Sequence, residues 1–472
     1  MLYILIALLA VAAVVYLIVK KVHAAAAIFF VGVLLLMIAA LTGRAEFRST
    51  DITSSGNALY DQLLVVEALF KSRFSGIGMA IMVLFGFVSY MRHIGADAKT
   101  VVILSTPLRR FKGSYWLVPV GFLIGNLLSL VIPSASALSL LLVATLLPAL
   151  IAAGLTPLTV GAIVVTSSTI IPTPLEAGLI QGADLTGMTV TEFVYGHVAW
   201  ATVPALIITA FVHMWWQRHC DIVDTRHAHE GTQHNAENRE ISDSDAATRD
   251  ALERASGLPG YYAILPLMPL LLIVVSALLK RLSVLPLKPE SYLLPWYLFV
   301  ALIIESLRKR TITGAIDSVA SFFKGMGEGA AGVVSLLVAA AVLVEGITQM
   351  GVIDMLIQAA EGSSGAAILI VLIFVVATAA MATLTGSGTA PYFAFSEVVP
   401  SLAAQSSIHA PQMLTAIWGT SNLMRQISPV NAAVLIVAGA IKVNPIRLVK
   451  RTLVPMAVAT VLNTLFAFLF IG

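Results

Sequence analysis

Charge is what this sequence has least of. Asp, Glu, Lys and Arg make up 11% of its 472 residues, while 58% are hydrophobic. A soluble chain carries roughly a quarter of its residues as charge, so most of this surface must face lipid. Cysteine is almost absent: Cys220 stands alone, which excludes an internal disulfide and any cysteine-rich metal or iron–sulfur centre. Neither Gly-x-Ser-x-Gly nor His-Glu-x-x-His occurs, so the two common hydrolase signatures are missing. The net charge of +3 says little about partners until the charges are placed; no nucleic-acid partner, cofactor or resident metal is expected.

Long apolar runs are what is there. Runs of the length that crosses a hydrocarbon core as helix predict full crossings at 2–19, 24–41, 77–94, 157–180, 192–216, 260–280, 291–307, 330–349, 412–441 and 453–471. The first is followed, not preceded, by Lys20 and Lys21, the reverse of a signal peptide, so it reads as a retained span with the N-terminus outside. Two further stretches, 115–153 and 365–403, are too long for one helix. Ile132-Pro133-Ser134-Ala135-Ser136 interrupts the first and Leu384-Thr385-Gly386-Ser387-Gly388-Thr389 the second. Such tips predict re-entrant hairpins, because irregular backbone at membrane depth survives only against protein or a water-filled cavity.

The basic residues fit this threading. Ten crossings and two hairpins leave 20 of the 28 Lys and Arg in cytoplasmic loops, 7 outside, and Arg425 within a span. That asymmetry follows the positive-inside rule and places both termini in the periplasm. Gln217–Pro259 is the long polar segment; it reads as a flexible cytoplasmic linker. Its four histidines (219, 227, 229 and 234) have no recurring ligand spacing and read as solvated rather than metal-binding.

The two halves match each other. Tyr90–Gly95 lies over Gly346–Gly351 at an offset of 256; Ser134–Ala137 lies over Gly386–Thr389 at 252; Thr166-Ser167-Ser168 lies over Thr420-Ser421-Asn422 at 254. The first copy begins with a span running inward and the second with one running outward, so the repeats are inverted, an arrangement typical of alternating-access transporters. The expected organisation is 1–76 N-terminal scaffold helices and external loop; 77–216 first repeat, with hairpin 115–153 and broken helix 157–180; 217–259 linker; 260–329 scaffold helices and an amphipathic segment; 330–472 second repeat, with hairpin 365–403 and broken helix 412–441.

Four polar, helix-breaking patches fall at midplane depth: the two tips, Thr166–Pro174 and Thr420–Pro429. Backbone released there can hold a cation on carbonyls and an anion on helix N-termini. The expected substrate residues are Ser134, Ser136, Thr166, Ser167, Ser168, Ser387, Gly388, Thr389, Thr420, Ser421, Asn422 and Arg425. The plainer reading is that these small residues only allow close helix packing. Arg425 is costly at this depth without an anionic partner; it either forks onto a substrate carboxylate or pairs structurally with Glu397, Glu345 or Glu176. The same three glutamates are the candidates for proton coupling. His93 and Glu328 fall near membrane boundaries and read as interfacial.

The run Gly86–Ala96, the Pro133–Pro148 hairpin, Thr420-Ser421-Asn422, Ser428-Pro429-Val430 and Val449-Lys450-Arg451-Thr452 resemble the DcuC family of anaerobic C4-dicarboxylate carriers. The resemblance spans nearly the whole chain apart from the linker. It implies an all-α polytopic protein that carries succinate, fumarate and malate across a bacterial inner membrane by ion-coupled symport or exchange. It also implies membership of the ion-transporter superfamily. There, substrate and sodium sit between two hairpin tips and two broken helices, and a rigid transport domain moves elevator-fashion against a scaffold, usually in a homodimer. The Ser-Asn-Thr tips of the sodium-coupled members are not present: here the tips read Ser134-Ala135-Ser136 and Gly386-Ser387-Gly388-Thr389, leaving sodium, proton or exchange open. The alternatives are a carrier of another small organic acid and a cation–proton antiporter of the same fold. The antiporter relies on a buried aspartate, and all eleven aspartates fall in expected loops or boundaries.

Overall fold

In lipid, a chain this apolar must satisfy its backbone hydrogen bonds within each segment, and helices do so. The computed structural model describes residues 2–45, 54–105, 115–230, 255–271, 294–309, 312–352, 364–404 and 408–471, with 253, 275 and 355, and they contain no strand. Polar caps start the helices where the apolar runs begin. Asn57 accepts from the amides of Leu59 and Tyr60, and Thr156, before Pro157, accepts from Thr159 N. Asn444, before Pro445, accepts from Ile446 N.

Seven helices among the described residues are long and apolar enough to cross a membrane, eight if the bent pair Ala135–Ala144 and Leu146–Ala152 counts as one span. Several run further than the apolar windows predict. Ala58–His93 is one helical column of 36 residues, so much of the expected external loop 42–76 is helix. Ala320–Gln349, of 30 residues, absorbs the expected amphipathic segment. The first arm of the second hairpin, Ser364–Thr385, has 22 residues, which at 1.5 Å per residue is about 33 Å and enough to cross by itself. The helix that begins at Ala199 continues to Glu230, so the linker does not start at Gln217; histidines 227, 229 and 234 and most of 260–293 lie outside the described side chains. The breaks fall at the expected tips: helix stops at Ser129 and resumes at Ala135, then stops at Thr385 and resumes at Thr389.

The same order of elements occurs twice. A π-helical turn at Phe74–Gly78 leads into the Met79–His93 helix, and another at Ala330–Val334 leads into Ser335–Gln349. Both start 256 residues apart, and both helices end on a left-handed glycine, Gly95 (φ 75°) and Gly351 (φ 77°). A hairpin, a helix opened by proline (Pro157, Pro411), a break, a short helix (Ala177–Thr186, Ala432–Ala440) and a long final helix follow in each half.

The halves pack through glycine. A Cβ on Gly325 would lie 2.4 Å from Ser89 Cβ and 2.6 Å from Phe85 O, and one on Gly32 would lie 2.7 Å from Leu343 N. Small residues at such crossings let helix backbones touch, which is how helices associate where lipid is as apolar as leucine. The far end of the Ala199–Glu230 helix is held instead by charge. Buried Arg451 reaches Asp221 at 2.7 Å and Asp224 at 2.5 Å, and Asp221 also accepts from Thr156, Thr159 and Tyr115.

Gly325 and Gly327 share one helix and differ in surroundings, since a Cβ on Gly327 would meet nothing within 4 Å. Gly325→Val should destabilise the protein by about 1–3 kcal/mol through overpacking. Gly327→Ala should be neutral or up to about 1 kcal/mol stabilising through helix propensity. Thermal melting of the detergent-solubilised variants measures both.

Candidate functional site

Four short helices begin at the rim of one cavity. Their N-cap residues are Ser134, Glu176, Gly388 and Asn431, and all four line a space of about 430 Å3, a usual size for a small-molecule site. Two of these helices follow the hairpin tips and two follow the breaks in the proline-opened helices, so each half of the chain contributes two. Each helix N-terminus carries partial positive charge and unpaired amides, and together they make an anion-attracting chamber. The caps do not fill it. Ser134 Oγ lies 3.4 Å from Ala137 N and 3.2 Å from Ser136 Oγ. Glu176 Oε2 accepts from Leu179 N and Trp418 Nε1, both at 2.8 Å.

Arg425 enters from the turn Arg425–Ile427 that ends the Ala410–Met424 helix. Its Nη2 donates to Ser168 O at 3.1 Å and Ser168 Oγ at 3.3 Å, and its Nε is buried without a partner. Among the described residues it therefore bonds to a carbonyl and a hydroxyl and not to a carboxylate. Gly388 makes room for it: a Cβ there would lie 3.0 Å from Arg425 Cδ and 3.1 Å from Asn422 Oδ1.

The expected ionic partners are engaged elsewhere or otherwise. Glu397, 4% exposed, pairs with Arg73 at 2.5 Å and accepts from Gln181 at 2.8 Å. Glu345 accepts from Gln349 at 2.9 Å, one turn along its own helix, and neither glutamate lines the cavity. Glu176 does line it, as a helix cap.

Eight of the twelve expected substrate residues meet there: Ser134, Ser136, Ser168, Ser387, Gly388, Thr389, Asn422 and Arg425. Thr166, Ser167, Thr420 and Ser421 do not. Thr166 and Ser167 donate back to Ala162 O and Ile163 O, and Ser421 to Trp418 O, the usual internal bonding of helical Ser and Thr. The second triplet lies on the Ala410–Met424 helix, so one face of it reaches the cavity; the first lies past the helix end at Val165, in the break, where Ser168 reaches the cavity. Asn431, Trp418, Arg92 and Glu328 also line it and were not among the expected substrate residues. Asn431 carries a readable signal, a capping residue directly before an apolar run; Glu328 had read as interfacial.

This division is testable by labelling. In a Cys220→Ser background, Ser387→Cys should react with a small thiol reagent, because Ser387 lines the cavity. Ser421→Cys should stay unmodified in the folded protein, since Ser421 is wholly buried. Mass spectrometry of intact protein reads both outcomes.

Known proteins resemble this chain along its length. A family model described as "C4-dicarboxylate anaerobic carrier" matches residues 2–471. The chain is 33% identical over 431 residues to the anaerobic C4-dicarboxylate transporter DcuC of Escherichia coli K12, covering 91% of this chain and 88% of that protein. It is 32% identical over 434 residues to the probable anaerobic C4-dicarboxylate transporter DcuC of Vibrio cholerae, covering 91% and 89%. A putative uncharacterized transporter of Haemophilus influenzae is 28% identical over 216 residues, 44% of this chain and 73% of that protein. With its apolar helices and transporter relatives, this is a multi-pass membrane protein. The chain belongs to the DcuC family.

Proposed function

We propose that the protein is a secondary active transporter of C4-dicarboxylates such as succinate, fumarate and malate, acting by ion-coupled symport or exchange in a bacterial inner membrane. The observation that carries this is Arg425: among the described residues its guanidinium is hydrogen-bonded to no carboxylate and has Glu176 as a charged neighbour, and it stands among four helix N-termini in one cavity. Its fork matches a carboxylate bound by two hydrogen bonds, and the tips supply hydroxyls and amides for the second carboxylate. The names of the relatives support the C4 length.

The charged residues lining the cavity are Arg92, Glu176, Glu328 and Arg425, whose formal charges cancel. A dianion entering this balanced chamber needs compensation, by a proton, a cation or a departing substrate of like charge. Glu176 is the coupling candidate that faces the substrate space; Glu345 and Glu397 could act only from outside it. The twice-occurring order of elements supports two repeats, which we read as inverted and working by an elevator motion; the distribution of basic residues supports periplasmic termini, and the resemblance to the ion-transporter superfamily supports a homodimer. In that orientation the cavity reaches Arg92 and Glu328 on the cytoplasmic side, and the Arg73–Glu397 pair, half-buried at Arg73, lies toward the opposite side. The antiporter reading gains nothing here, since no aspartate is among the residues lining the cavity.

Labelled succinate uptake into proteoliposomes tests the proposal. Arg425→Lys keeps the charge without the fork and should weaken uptake by raising KM. Arg425→Ala should lower kcat/KM about 100-fold through lost charge-assisted hydrogen bonds, with near-normal membrane insertion. Near-wild-type uptake by Arg425→Ala would contradict the assignment.

A further inference from the structure

The cavity lies between two groups of helices. The columns Ala58–His93 and Ala320–Gln349 pack on each other, and Ala24–Leu41 packs on both. From the columns Phe85, Ser89, Arg92, Glu328 and Val333 form one wall of the cavity. The hairpins, the proline-opened helices and the long final helix of each half pack among themselves, and the tips and breaks supply the other wall.

A charged contact joins the two groups away from the Arg92 end. Arg73 precedes Arg92 by 19 residues on one column, about 28 Å by helical rise. Its guanidinium pairs at 2.5 Å with Glu397, on the return arm of the second hairpin, and lies 3.8 Å from Asp184. Gln181 Nε2 donates to the other Glu397 oxygen at 2.8 Å, and Gln181 Oε1 accepts from Ser396 Oγ. The same return arm packs on the Ser335–Gln349 helix. The Arg73 side chain is 23% exposed and that of Glu397 4%. Desolvation therefore falls mainly on the carboxylate, and both its oxygens have donors, the condition under which a buried pair stabilises the state that contains it.

The repeat holds this contact once. The offsets that superpose the halves are 256 for the columns, 252 for the hairpins and 254 for the breaks. At these offsets Arg73 falls on Gly329, Glu397 on Thr145 and Gln181 on Leu435. No ion pair is available to those three. Thr145 donates to Leu141 O within its own turn, and Leu435 is exposed. Two inverted repeats alternate by exchanging the packing of one half for that of the other, so the second state closes its opposite end on uncharged side chains.

We propose that Arg73, Glu397 and Gln181 form a one-sided latch, which favours the state with the cavity open at the Arg92 end and must part in each transport cycle; this rests on the reading of the cavity as the site of an alternating-access carrier. The pair acts as a differential contact between two states, and it weights them unequally although the repeats themselves are alike.

The test uses the full-length protein in right-side-out and inside-out membrane vesicles, with an impermeant thiol reagent. Ser387→Cys in the Cys220→Ser background is the reporter, since Ser387 lines the cavity. With the latch intact, labelling should be faster in the vesicles that expose the Arg92 end. Arg73→Gln with Glu397→Gln removes both charges without stranding either, and should shift the ratio of the two rates about tenfold toward the opposite side. Gln181→Leu, a milder change, should move the ratio in the same direction. An unchanged ratio in both variants would overturn the latch, and so would equal acceleration from both sides, which marks loosened packing. Protection of the cysteine by succinate reads the substrate separately: a shifted ratio without protection supports the latch and refutes the proposed substrate.

Discussion

The cost of an unpaired backbone group away from water organises this protein. Each helix break exposes amides on one side and carbonyls on the other, and at membrane depth neither can be left unmet. The four amide ends are turned toward one cavity, where Ser134, Glu176, Gly388 and Asn431 stand at the rim. At both breaks and at the second tip, released carbonyls are turned toward protein, where Asn126, Thr383, Arg425, Gln426, Asn431 and Thr452 meet them. The helix N-termini thus favour an anion in a chamber whose formal side-chain charges balance.

Two ion pairs with buried carboxylates, one of them buried on both sides, fasten this arrangement from outside the cavity. Arg73 and Glu397 join the first long helical column to the second hairpin, with Gln181 on the other carboxylate oxygen. Arg451 and Asp221 join the last helix to the Ala199–Glu230 helix, with three hydroxyls completing the aspartate. A buried pair adds little stability over apolar residues of the same size, but losing one partner strands a charge and costs about 3–5 kcal/mol. Such pairs therefore specify which elements meet more than they strengthen the contact. Glycine contacts at Gly325 and Gly32 do the complementary work of holding helices at backbone distance.

Much of this was legible in sequence because it is local. Apolar runs gave the helices, Pro-Ser and Gly-Ser-Gly interruptions gave both tips, and the offset of 256 at Tyr90–Gly95 anticipated the paired π-turns and left-handed glycines. The lengths of Ala58–His93 and Ala320–Gln349 were not legible, since hydropathy marks where a helix is apolar and not where it ends. Within the polar triplets, composition could not separate Ser168 and Asn422, which line the cavity, from their neighbours; helical phase does that for Asn422 and the course of the break for Ser168. The partners of Glu397 and Asp221 lie 324 and 230 residues away, and no local pattern announces a contact of that separation. Asp221 had accordingly been placed in a solvated linker.

The central claim is that both halves of the chain bind one dianion through Arg425 and the surrounding helix N-termini. A structure of the full chain with succinate bound tests it most directly. One carboxylate should lie within hydrogen-bond distance of Arg425, about 2.7–2.9 Å, with the other beside a hairpin tip from the opposite half. Succinate bound outside the cavity, or inside it with Arg425 still turned only to Ser168, would contradict the account.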